Sequence, residues 1–131
     1  MLIVDTSVWI DHLNGHPSPE ALKLVAAIER DEPIAVPGPV MTEILLGIRS
    51  ERQARLVAEL LTGFESAGEL EREDYVQAAR IFRVCRAAGY TLRSTIDCLI
   101  ARLCLRGGHE LLTKDRDFEA IRRCFPLRLL T

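Results

Sequence analysis

The 131-residue sequence is nearly without lysine: Lys23 and Lys114 are the only two among 17 basic residues, and 19 acidic residues bring the net charge to −2. Proteins that hold nucleic acid through their overall field are usually basic. This chain can meet nucleic acid only through local patches, and its cations are almost all arginine, whose planar fork suits phosphate. Long hydrophobic runs are also missing. The apolar start MLIVDTSVWI is interrupted at Asp5, and no basic stretch precedes it, so neither a signal peptide nor a membrane span is expected. Zinc spacing is absent: Cys85, Cys98, Cys104 and Cys124 form no C-x-x-C pair. Three of them fall in apolar helical stretches, where free cysteine acts as a small hydrophobe, which predicts a reduced, cytoplasmic protein. His12, His16 and His109 show no ligand spacing. There is no glycine-rich phosphate loop, since Gly107-Gly108 ends a helix rather than opening one.

What is present is an alternation of short apolar runs with amphipathic segments. Leu2 to Val4 reads as a buried strand that turns at Asp5-Thr6-Ser7 into a helix. Ser18 and Pro19 open the next helix, to about Arg30. Pro33 to Val36 is a second strand, stopped by Pro37-Gly38-Pro39. Helices follow over Val40 to Ile48 and from Ser50-Glu51 to Thr62-Gly63, and Phe64 to Leu70 is a weak third strand. The 3.6-residue period is strong from Glu73 to Ala88 and continues over Ser94 to Leu105. Glu110 to Thr113 reads as a strand, Asp115 to Arg123 as a helix, and Pro126 to Leu130 as a last strand. The expectation is one α/β domain over residues 1–131, with a mostly parallel sheet of about five strands and helices on both faces.

In such a sheet ligands bind beyond the carboxyl ends of the strands. Asp5 and Asp115 fall at such ends, and Glu43 and Asp97 lie near helix starts that face the same crevice. Each has a plain structural role open to it. Asp5 can cap the first helix, and Ser94-Thr95-Ile96-Asp97 matches a capping box. Asp115 and Asp117 suit a helix N-terminus, and Glu43 can be an ordinary exposed glutamate. As a set they describe something else. Carboxylates gathered in one cleft repel and raise one another's pKa, unless a divalent ion reverses the sign. Oxygen-only ligands suit Mg2+ or Mn2+ rather than zinc, and such an ion beside a phosphodiester activates water without a histidine base.

Four motifs appear in order: Asp5-Thr6-Ser7 after a strand, Thr42-Glu43 on a helix, Ser94-x-x-Asp97-Cys98 at a helix start, and Thr113-x-Asp115-x-Asp117-Phe118. Over residues 1–125 this order resembles the PIN-domain family, in particular the VapC-type toxin ribonucleases of VapBC toxin–antitoxin pairs. The resemblance implies a parallel sheet of about five strands and an acidic quartet of Asp5, Glu43, Asp97 and Asp115 holding one or two Mg2+ ions. In it Asp5 and Asp97 are the most direct ligands, Glu43 and Asp115 bind directly or through water, and Asp117 matches a frequent fifth acid. Thr6 and Ser94 are hydroxyl neighbours that orient carboxylates. The implied activity is endonucleolytic hydrolysis of RNA, often tRNA or ribosomal RNA, leaving a 5′-phosphate and a 3′-hydroxyl. Arg93, Arg116, Arg122 and Arg123 lie beside these acids in sequence and could hold phosphates, although a solvated helix face suits Arg122 and Arg123 better. The implied partners are a second copy of the chain and a cognate antitoxin. The antitoxin's tail would lie along an apolar groove for which Ala54 to Leu61 and Tyr75 to Cys85 are candidates.

Two rivals stand beside this reading. A phosphatase with an aspartyl nucleophile at Asp5 usually carries a second acid two residues later, where this chain has Ser7. A non-catalytic RNA- or protein-binding module on a nuclease fold has no need of a complete quartet.

Overall fold

The computed structural model describes residues 1–131. The chain runs β1 (Leu2–Val4), α1 (Thr6–Leu13), α2 (Pro19–Glu29), β2 (Ile34–Ala35), α3 (Gly38–Leu46), α4 (Glu51–Thr62), α5 (Arg72–Ala87), α6 (Thr95–Gly107), β3 (Glu110–Leu112), α7 (Asp117–Cys124) and β4 (Arg128–Leu129). All strand pairs are parallel and the order is β2-β1-β3-β4. This is the expected α/β architecture. All of β1 is buried, as are Leu111 and Leu112 of β3, because a central parallel strand has no solvent face and must be apolar on both sides. One core cluster joins these strands to Val8 and Trp9 of α1, Val40 and Ile44 of α3, Ile100 and Leu103 of α6, and Phe118 and Ile121 of α7. Trp9 meets Phe64 edge-on, with ring centroids 5.1 Å apart.

The sheet has four strands rather than about five. The segment Phe64 to Leu70 contributes only an isolated parallel bridge between Ala35 and Glu65. Its backbone then turns away through positive φ at Ala67 (63°) and Gly68 (90°), a conformation no strand continues through. Helix starts also shift by local chemistry. α3 begins at Gly38, two residues before the expected Val40, because Pro39 fits the first helical turn. α7 begins at Asp117, not Asp115, since the Asp115 side chain is spent receiving the Asp117 N–H at 2.9 Å.

Helix ends follow familiar rules. Ser18 and Ser50 accept backbone N–H groups of Ala21 (3.1 Å) and Gln53 (3.2 Å) at the starts of α2 and α4. α6 closes on Gly108 in the left-handed region (φ 65°), where glycine carries no Cβ penalty. Between α5 and α6 lies a charged tie that the sequence reading did not foresee. Asp74 is buried, receives the Glu71 N–H at 2.8 Å, and pairs with Arg102 (2.9 Å) and with Arg106. Burial works to raise the Asp74 carboxyl, but the Glu71 amide and both guanidinium groups hold it below the usual carboxylate range.

Candidate active site

β1 and β3 are neighbours whose onward connections lead to opposite edges of the sheet, β2 on one side and β4 on the other. Such a switch point opens a crevice at the strands' carboxyl ends. Here the Asp5 N–H still donates to Leu112 O at 2.9 Å, so the residues just beyond β1 and β3 enter the crevice side by side. Asp5 follows β1, Thr113 and Asp115 follow β3, Asp97 sits in the first turn of α6, and Glu43 lies on α3.

Asp5 occupies the N-cap position of α1, yet its side chain makes no capping bond there. Instead its Oδ2 accepts the hydroxyls of Thr113 (2.9 Å) and Ser7 (3.2 Å). Burial raises the Asp5 carboxyl against the lowering effect of these hydrogen bonds, with Asp115 adding repulsion. Glu43, half-buried, accepts the Thr6 hydroxyl at 2.7 Å. Thr6 therefore orients a carboxylate, as the resemblance implies. Ser94 does not: its hydroxyl accepts the Ile96 N–H at 3.2 Å and serves the helix start. The carboxylate-orienting role falls to Ser7 and Thr113, which the sequence reading passed over. Thr113 stood in the Thr-x-Asp-x-Asp motif, and its place at the end of an apolar strand was the available signal.

Asp97 is the centre of the arrangement. It is only 7% exposed, and no capping box engages it. Burial first, and then the charges of Asp5, Asp115, Glu43 and Asp117, raise its pKa to about 8. No hydrogen bond is among the influences on it. Of the expected quartet the structure groups Asp97 and Asp115, with Asp117 as the third member, while Asp5 and Glu43 lie outside that tight group and act on Asp97 through their charge. Oxygens of Asp97, Asp115 and Asp117 lie within 4.8 Å of one another, a spacing that a single hard cation can bridge.

Burial and four acidic neighbours disfavour the charged form of Asp97, and a bound cation would balance that charge. The donors are all oxygen. His109 lies beside the N-terminal amine, its Nδ1 3.2 Å from it, where Met1 and His109 precede β1 and β3 and so stand at the opposite end of the sheet. The residues present therefore fit Mg2+ or Mn2+ and not zinc. The four cysteines are free, and burial foremost holds Cys85, Cys98 and Cys104 well above the usual thiol range, so none of these three is poised as a nucleophile.

The rim carries arginine. Arg93 reaches Asp115 with Nη2 (2.8 Å) and Asp117 with Nε (3.4 Å), while its backbone N–H also donates to Asp117 at 2.9 Å. Arg116 is exposed and makes no ion pair. Arg122 pairs with Glu119 on the outer side of α7, which is the role of a solvated helix face. Lys114 pairs with Asp11.

The chain is 33% identical over 129 residues to the VapC ribonuclease Mb1587 of Mycobacterium bovis and, to the same extent, to ribonuclease VapC11 of Mycobacterium tuberculosis, covering 98% of this chain and 96% of each relative. Its fold matches VapBC-1 from nontypeable Haemophilus influenzae (TM-score 0.75, 16% identity, 98% of this chain and 96% of that one). It also matches VapBC2 of Rickettsia felis bound to a promoter DNA fragment (TM-score 0.73, 15% identity, 98% and 96%). The family model described as "PIN domain" matches residues 2–123, which take in every acid of the crevice, and the chain belongs to the PIN-domain family.

Proposed function

We propose that this chain is a metal-dependent endoribonuclease and the toxin of a type II toxin–antitoxin pair, acting as one nuclease domain over residues 1–131. The observation that carries the proposal is the buried Asp97 grouped with Asp115 and Asp117, their carboxylate oxygens within 4.8 Å of one another. Nothing in the fold requires that convergence, since Asp5, Asp97, Asp115 and Asp117 could each have served a helix end and Glu43 could have faced solvent.

Asp5, Glu43, Asp97 and Asp115 are the residues that hold Mg2+ or Mn2+, with Asp117 at the edge of the set. When bound, the ion polarises a phosphoryl oxygen and makes water a competent nucleophile near neutral pH. The chain's own part is to keep its ligands aimed and ionised. Thr113 and Ser7 fix one oxygen of Asp5, and Thr6 fixes one oxygen of Glu43. A cation held there would favour the ionised form of Asp97, against the burial and the acidic neighbours that raise its pKa. The substrate is RNA, cut to leave a 5′-phosphate and a 3′-hydroxyl, with Arg93 and Arg116 on the rim to meet its phosphates.

The partner is an antitoxin, in keeping with the VapBC assemblies among the structural neighbours. A place for its apolar tail exists where Leu46, Leu56 and Leu60 are exposed on α3 and α4. They lie near a cavity of about 160 Å³ lined by Ile10, Leu13, Ile44, Ile48 and Val57. Tyr75 and Val76 expose a second apolar strip on α5, which suits contact with another copy of the chain. No helix is long and apolar enough to cross a membrane.

The test is RNA-end sequencing after expression of the wild type beside Asp5→Asn, with purified protein assayed with and without chelator. Cleavage should be lost in the variant and on chelation, and Mg2+ or Mn2+ should restore it in the wild type. Cleavage that survives chelation defeats the metal assignment. RNA binding without cleavage under any divalent ion makes the chain a binding module.

A further inference from the structure

Arg93 holds the two acids that share the cation-bridgeable group with Asp97. Its guanidinium meets Asp115 Oδ1 at 2.8 Å and Asp117 Oδ2 at 3.4 Å. The side chain itself is 72% exposed, against 26% for Asp115 and 13% for Asp117. It is therefore anchored at its tip only by charge, and an ion pair so open to water is weak and easily exchanged. The backbone N–H of Arg93 holds Asp117 independently at 2.9 Å, so Asp117 stays in place when the guanidinium leaves. Arg93 immediately precedes the Ser94 cap of α6, three residues before Asp97 in the first turn, which keeps a freed guanidinium at the mouth of the crevice.

We propose that Arg93 is a resident counter-cation that competes with the metal for Asp115 and Asp117, and that the metal releases it to grip an RNA phosphate beside the cut. The inference rests on the metal-nuclease reading. It assigns Arg93 a positioning role toward substrate and a restraining role toward metal, both from one side chain. One positive charge then moves from the acids to the substrate as the divalent cation arrives, and the crevice avoids both an uncompensated acid cluster and an excess of positive charge.

The test measures Mn2+ affinity of purified wild type, Arg93→Gln and Arg116→Gln by electron paramagnetic resonance of free Mn2+. Arg93→Gln should bind Mn2+ about three- to tenfold more tightly. Arg116→Gln removes the same charge from a neighbouring rim position with no ion pair to either acid, and should change the affinity little. With a cleavage-resistant phosphorothioate single-stranded RNA oligonucleotide in Mn2+ buffer, Arg93→Gln should reduce the slope of log K against log salt by about 0.7 relative to wild type. Unchanged Mn2+ affinity in Arg93→Gln, equal tightening in both charge-removal variants, or an unchanged salt slope overturns the proposal. A wild type that binds no Mn2+ at all defeats the metal-nuclease reading instead, so the two failures are distinguishable.

Discussion

The Thr113 hydroxyl donates to Asp5 Oδ2 at 2.9 Å, joining residues 108 positions apart in the chain. The same hydroxyl oxygen accepts the Asp115 N–H at 2.9 Å. One side chain thus sets the spacing between the acid after β1 and the acid after β3. Thr113→Val keeps the shape and removes both bonds. Partners of metal-binding residues are typically worth about 10- to 100-fold in metal affinity or activity, and a loss of that size in RNA cleavage is expected. Thr113→Ser should recover most of it. A Thr113→Val enzyme with wild-type kcat and wild-type Mg2+ dependence removes Thr113 from the site.

The raised Asp97 pKa makes a signed statement about stability. Its folded-state value is about 8 against an ordinary 3.8. The folded chain therefore keeps a proton that the unfolded chain releases above about pH 4. Metal-free protein should be most stable with respect to this group below pH 4, lose stability steadily as pH rises to 8, and level off beyond it. Asp97→Asn should abolish RNA cleavage yet raise the metal-free Tm at pH 8, by about 10 °C or more, with the gain vanishing near pH 4. Thermal melts of both proteins across this range, in chelator, make the comparison. A metal-free Tm that falls in the variant at pH 8 would mean that Asp97 is held by favourable contacts instead.

Asp74 presents the opposite case. It is buried like Asp97 but faces two guanidinium groups rather than four acids, and its pKa goes down rather than up. Its contribution to stability is present above the ordinary carboxylate pKa and is lost as pH falls through its lowered one. Asp74→Ala strands Arg102 and Arg106 and should cost about 3 kcal/mol in urea unfolding at pH 7. Cleavage by the folded fraction at saturating Mg2+ should persist. Unchanged stability would show that the two arginines find water as readily as they found the carboxylate.

The contrast between Asp74 and Asp97 also marks what the sequence could reveal. β1 and the end of β3 were legible because every residue is apolar, and an acid directly beyond such a strand must lie at the crevice. Ser94 to Asp97 and Glu71 to Asp74 carry similar capping patterns, and the local pattern pointed to the wrong one. The reciprocal contact forms at Glu71 and Asp74, whereas Asp97 faces Asp5 and Glu43, residues contributed by distant elements. Only packing decides between two such sites. The same holds for the fifth strand, where a reading of Phe64 to Leu70 had no access to the left-handed turn at Ala67 and Gly68. Arg102 and Arg106 were four apart on one helix, but nothing local named Asp74 as their partner.

Asp117 separates a quartet from a quintet. Its oxygen can join Asp97 and Asp115 within 4.8 Å, yet among the acids acting on Asp97 its charge ranks last, behind Asp5, Asp115 and Glu43. Its Oδ2 is also occupied by both nitrogens of Arg93. An acid already engaged twice by Arg93 should tune the metal rather than hold it. Asp117→Asn should raise the Mg2+ concentration for half-maximal cleavage by about tenfold while leaving kcat at saturating Mg2+ within a few-fold of wild type. Asp5→Asn, with its carboxylate fixed by Thr113 and Ser7 at the crevice floor, should lose kcat at any Mg2+ concentration. Magnesium titrations of both variants under single-turnover conditions distinguish the two behaviours. An Asp117→Asn enzyme that no magnesium concentration restores would place Asp117 among the essential ligands.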